Sequence, residues 1–185
     1  MRSANGSRRT TLRRARRDES GQRGQSLVEF ALVLTPLLLI LLGIIQFGFI
    51  FNSYVTLTNA ARESAREGTV YVYDRTLTKS QNDAYRNEQK RTTLLASLNL
   101  LSKTAPQITT SSTWSQSGTT FTTGDLTVTY SLPASVTESD PRVGQEITVR
   151  ARYHQDLIIP LIAALLPKDG GGRLVLTGEV TMVVN

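Results

Sequence analysis

From Phe30 to Phe51 the chain runs 22 residues without a formal charge, FALVLTPLLLILLGIIQFGFIF. A bilayer core needs roughly 20 helical residues, so this pattern predicts a membrane-crossing helix. An ordinary secretory signal has an apolar core of roughly 7–15 residues followed closely by a small-x-small cleavage site. This run is longer, and Ala60 and Ala61 lie well past its end. An all-round apolar helix of this length in a soluble core would need a larger protein around it. Pro36 removes one helical hydrogen bond and is expected to bend the span. Gln46, polar within the run, is expected to face a neighbouring helix or to sit near the interface.

Beyond the span the pattern turns amphipathic. Ala60, Ala61, Ser64, Ala65 and Gly68 form a stripe of small residues, with Arg62, Glu63, Arg66 and Glu67 on the other side. The helix should therefore continue into solvent; counted from Gln25 to Glu67 it would be about 65 Å long. Gly68–Ser80 reads as a connection, with VYVY a short strand. The stretch QNDAYRNEQKRTTLLASLNLL has helical composition, with Leu94, Leu95, Leu98 and Leu101 at helical spacing and Pro106 closing it.

The period then changes to two. ITTSSTWSQ and TFTTGDLTVTYS are rich in Thr and Ser, which suits exposed antiparallel strands. In QEITVRARYH, Ile147, Val149, Ala151 and Tyr153 face one way and Thr148, Arg150 and Arg152 the other; RLVLTGEVTMVV alternates similarly. Four strands with one polar face predict an antiparallel sheet packed on the helix stripe, with turns at SDPRVGQ and PKDGGG. The apolar stretch within DLIIPLIAALLP is too short to span. It reads as a short helix broken or begun at Pro160, and burial statistics favour the core over an exposed patch for a partner or a membrane surface. The fold class is α+β: a long N-terminal transmembrane helix extending into a small exported domain with an antiparallel β-sheet. The expected organisation is a basic leader over 1–24, the span and its extension over 25–68, and a head over 69–185.

Charge sharpens this picture. Eight arginines stand against Asp18 and Glu19 in residues 1–24, which accounts for the whole formal charge of +6; the remainder is balanced. A nucleic-acid-binding body would spread its cations over a face or along a helix, so no nucleic-acid partner is expected. Arginines including Arg13, Arg14, Arg16, Arg17 and Arg23 precede the span, and Arg62 is the first cation after it. The positive-inside rule then keeps the leader in the cytoplasm and sends residues 52–185 outside.

One acid stands at the edge of the oily run. RGQSLVEFALVLTP…LLGIIQFG, with a basic leader, Gly24, four small or mostly apolar residues, Glu29-Phe30 and then the apolar helix, resembles the N-terminus of TadE-like proteins. These are minor pilin-like components of the tight-adherence (Flp, type IVb-like) pilus system. The alanine-rich TLTNAARESAREG and the closing RYHQDLIIPLIAALLP…GGRLVLTGEVTMVV resemble that family too, whereas roughly 70–140 matches no known pattern. One departure is that Thr35 stands where the family often has Pro directly after LVL. The resemblance implies a pilin-like fold and cleavage by a prepilin peptidase after Gly24, leaving Gln25 as the new N-terminus. It also implies that Glu29 pairs with the Gln25 amine of an adjoining subunit to fix helix register, with Phe30 beside it. A carboxylate near lipid is costly alone and tolerable when paired, and glycine lets a peptidase approach an extended backbone closely. The partners implied are the peptidase, other pilin-like subunits, the pilus assembly platform and membrane lipid. Localisation would be the inner membrane, N-terminus inside, with entry into a surface pilus.

Other chemistry is thin. The chain has no cysteine, hence no disulfide, thiolate metal site or thiol nucleophile. His154 is the single histidine, with Asp156 nearby, and a zinc site would need more ligands. GGG at 170–172 lacks the setting of a phosphate loop. No catalytic residue, metal, cofactor or small-molecule substrate is expected. Two readings compete with the pilin: an uncleaved single-pass assembly factor of the same apparatus, and a membrane-anchored extracellular binding module.

Overall fold

The computed structural model describes residues 19–98, 101, 108–134 and 140–185. Its first helix, α1 (Glu19–Thr69), runs through the apolar segment and its extension. Nothing in ESGQRG stops a helix; glycine weakens one without breaking it. The helix, counted from Gln25 in the sequence, therefore begins earlier and includes Gly24. Pro36 lies within α1, and the Thr35 hydroxyl donates to the Ala31 carbonyl at 2.8 Å. Gly24–Thr69 is long and apolar enough to cross a membrane. Among the described residues this helix fits a single-pass membrane protein.

The chain divides into two compact units, one ending at Ile44 and the other running Ile45–Asn185. The second holds the core. Helix α2 (Lys79–Ser97) begins with a capping box: Thr78 accepts from the Gln81 amide while the Gln81 side chain accepts from the Thr78 amide. VYVY (70–73), expected as a short strand, forms no ladder, and neither does Asp74 after it. The buried Asn82 side chain takes their hydrogen bonds instead, accepting from Tyr71 Oη (2.8 Å) and the Asp74 amide (2.9 Å).

Five strands form one antiparallel sheet in sequence order: β1 (Ser115–Ser117), β2 (Thr120–Thr123), β3 (Leu126–Tyr130), β4 (Glu146–Gln155) and β5 (Leu174–Val183). Four strands were expected, because TFTTGDLTVTYS was read as one. It folds at Gly124-Asp125 into the β2–β3 hairpin, with Thr123 opposite Leu126. Gly124 has φ +57°, and a Cβ there would lie 1.9 Å from the Thr109 carbonyl oxygen, so only glycine fits. The predicted alternation in β4 holds: Ile147, Val149, Ala151 and Tyr153 are buried, and Arg150 and Arg152 are exposed.

The small-residue stripe of α1 joins the core beneath the sheet through Ala60 and Ala65, and its Ser64 hydroxyl donates to the Lys90 carbonyl of α2 at 2.8 Å. Ala60, Ala61, Ser64, Ala65 and Gly68 are all buried, as is Leu57. Close approach is the reason for small residues: a Cβ on Gly178 of β5 would lie 3.0 Å from Leu57 Cγ and 3.2 Å from its carbonyl oxygen. Leu94 and Leu98 of the predicted leucine stripe are buried in the same core, and Leu95 and Leu101 pack against it. Pro106, expected to close that helix, lies outside the described residues.

The apolar stretch after β4 corrects the assignment to the core. A one-turn helix, α3 (Pro160–Ala163), begins at Pro160. No described residue from 157 to 166 is buried, and Ile158 and Leu165 are 67% and 82% exposed.

Candidate functional site

The residues singled out at the start of the span lie within two turns of α1. Gln25 and Glu29 are four apart, so they share a helix face. The Gln25 Nε2 donates to Glu29 Oε1 at 3.1 Å on the exposed surface. Phe30 is exposed, and a Cβ on Gly24 would meet nothing within 4 Å. Glycine is thus not demanded there by packing within this chain. The backbone of Arg23 belongs to α1, while Arg13, Arg14, Arg16 and Arg17 lie outside the described residues.

A second constellation, invisible to hydropathy, fixes α2 against the sheet. Asp83, Arg86, Asn87 and Lys90 of α2 are all buried. Arg142 donates to Asp83 through Nε (3.0 Å) and Nη2 (2.6 Å), a two-pronged pair, and through Nη1 to the Leu132 carbonyl (2.7 Å) and Gln145 Oε1 (3.1 Å). Its guanidinium lies 3.8 Å from the centre of the Tyr130 ring. Arg86 pairs with Asp140 and lies 4.7 Å from the Tyr71 ring centre. Lys90 Nζ donates to Tyr130 Oη at 2.9 Å. Burial, reinforced by the Arg86 guanidinium, pushes the Lys90 ammonium well below its ordinary range. Burial raises the Tyr130 hydroxyl above its ordinary value. A Cβ on Gly68 would strike Lys90 Cε at 2.0 Å, so the glycine in the α1 stripe makes room for this lysine. The sequence signal was available: polar residues recur at 82, 83, 86, 87 and 90, the same face that later carries Leu94. Charged residues on a helix face ordinarily point to solvent.

His154, next to last in β4, sits between two acids. Its Nδ1 is 2.5 Å from Asp169 Oδ2 and its Nε2 3.1 Å from Asp125 Oδ1. The hydrogen bond with Asp125, followed by that with Asp169, raises the imidazole above its ordinary value against the opposing effect of burial. Asp169 is held below the usual carboxylate range, first by the Arg173 amide and then by His154. Arg173 Nε donates to Asp156 at 2.8 Å beside it. Among the described residues, no group of three or more His, Cys, Asp or Glu is placed to hold a metal ion.

Gln46, expected to face a neighbouring helix or to sit near the interface, finds hydrogen-bond partners in its own chain. It is 1% exposed, and its Oε1 accepts from the backbone amides of Ile158 (2.9 Å) and Ile159 (3.3 Å). It faces the chain's own apolar segment and not another helix of the span.

Comparison with known proteins gives one result of substance. No curated protein and no solved structure is significantly similar to the chain. Residues 24–66, which run from the glycine of the leader motif into the alanine-rich stripe, match the family model described as TadE-like protein.

Proposed function

We propose that this protein is a minor pilin-like component of a tight-adherence pilus, cleaved after Gly24 by a prepilin peptidase and assembled with other pilin-like subunits on a membrane platform. The observation that carries the reading is the family match at residues 24–66, which begins on Gly24 itself and includes Gln25, Glu29 and Phe30. The arginine leader supports a cytoplasmic N-terminus by the positive-inside rule, and the second unit then lies outside.

A physical role follows for each part. Gly24 and Gly21 weaken the first turns of α1 by about 1 kcal/mol each, which eases local unwinding into a peptidase cleft. Cleavage exposes an amine on Gln25 one helical turn from Glu29. Within one chain that carboxylate accepts from the Gln25 side chain. In a stack, the amine of an adjoining subunit replaces that partner, and the charge pair is relieved of much of its cost near lipid.

The test is incorporation. Surface fibres sheared from the native host should contain the wild-type protein, while Gly24→Leu should remain in the membrane with its leader attached. Normal trimming of Gly24→Leu removes that residue from the account. Retention of trimmed wild type wholly in membranes, with none in fibres, would favour an assembly factor of the same apparatus.

A further inference from the structure

We propose that Leu157–Pro167 is seated in the bilayer, in the leaflet where α1 leaves the membrane, as a short monotopic insertion beside the span. The proposal rests on the reading of α1 as a membrane-crossing helix.

The position comes from Gln46. It lies five residues before Phe51, where the uncharged run ends, so its Cα is about 7.5 Å inside that end at the helical rise. Its carbonyl oxygen holds the amides of Ile158 and Ile159. The start of the loop is therefore tied to a level that lipid occupies around the helix. At that level α1 exposes Ile45, Phe47, Phe49 and Phe51. On the loop, Ile158 and Leu165 are likewise exposed.

The composition fits that occupant. Eleven residues from Leu157 to Pro167 carry no charge, and Asp156 and Lys168 bracket them. The neck is polar and stapled: Arg173 donates to Asp156, His154 joins Asp125 and Asp169, and the Asp169 amide donates to the Arg173 carbonyl at 2.8 Å. A bare apolar loop on a water-facing domain would expose large side chains at a cost of about 25 cal/mol per Å². In lipid that cost vanishes, and the limiting problem becomes backbone polarity. Here the segment is prepared for it. Gln46 takes two amides, Pro160 has none, and the amides of Ala163, Ala164 and Leu165 bond within the turn. An exposed loop in water would not need a buried glutamine for this purpose.

The absence of cysteine makes a direct test available. Single-cysteine variants of the full chain, Ile158→Cys and Leu165→Cys, would carry an environment-sensitive fluorophore. Each would be reconstituted in phosphatidylethanolamine–phosphatidylglycerol vesicles containing doxyl-labelled lipid. Leu38→Cys in the span and Gln116→Cys in β1 serve as controls. We expect at least twofold quenching at 158 and 165, stronger from a shallow doxyl than from a deep one, with Leu38→Cys quenched and Gln116→Cys not. If 158 and 165 behave like Gln116→Cys while Leu38→Cys is quenched, the insertion is wrong and the span stands. Loss of quenching at Leu38→Cys would overturn the span and the insertion together. Energy transfer between labelled copies at 158 without lipid quenching would assign the loop to a second copy and also overturn the proposal.

Discussion

The pair between Arg142 and Asp83 gives the sharpest stability prediction. Both side chains are buried, and the carboxylate receives two hydrogen bonds from the guanidinium. Asp83 also lies 3.9 Å from Arg86 Nη1, so it faces two cations. Asp83→Leu would leave Arg142 buried with only neutral acceptors, Leu132 and Gln145, and the Tyr130 ring face. Removing one partner of such a pair costs about 3–5 kcal/mol, because the remaining charge keeps its desolvation penalty. For a unit of this size that corresponds to a fall in melting temperature of roughly 10 °C. Asp83→Leu combined with Arg142→Met removes both charges and should recover at least half the loss. Urea unfolding of the full chain in detergent can follow Trp114, the single tryptophan, which packs on the same core. A loss under about 1 kcal/mol for Asp83→Leu, or strict additivity in the double variant, would refute the reasoning.

Other expectations follow from the same geometry. Gly124→Val should destabilise by at least about 2 kcal/mol, since it forces both a left-handed backbone and a clash with Thr109; unchanged urea midpoints would contradict it. Lys90 loses its proton more easily when folded, so the unfolded chain binds more protons and stability should rise as pH increases toward 10; Lys90→Met should flatten that slope. His154 works in the opposite sense: its raised value means stability fully present below about pH 6.5 and lost as pH rises through the folded value. His154→Gln should abolish that loss, and an unaltered pH profile would show that the two acids do not hold it. Glu29→Ala should be trimmed nearly as well as wild type yet enter fibres several-fold less, and equal incorporation would separate Glu29 from assembly.

Much of the fold was legible because hydrophobic period reports directly on burial. The uncharged run, the small-residue stripe at 60–68 and the alternation in β4 each became the element or contact expected. The failures have physical causes. Polar composition at Asp83, Arg86 and Lys90 suggests solvent, but cross-chain pairing with residues some 40–60 positions away allows burial, and sequence spacing does not display such partners. The β2–β3 hairpin was missed because Thr and Ser fill both strand and turn, leaving Gly124-Asp125 as the only mark. The segment after β4 was assigned to the core on hydrophobicity alone, a rule that loses force when lipid is available as a second apolar solvent. At the head of the span, the motif is readable from sequence because the chemistry is local: Gly24, Gln25, Glu29 and Phe30 lie within seven residues.

The mature N-terminus decides the central claim. Intact-mass measurement and N-terminal sequencing of the protein purified from native membranes and fibres should give a chain beginning at Gln25, with all eight leader arginines gone. A chain that still begins at Met1 in every fraction would contradict processing and leave an uncleaved anchor, and one that begins near residue 61 would replace the pilin with a released binding module.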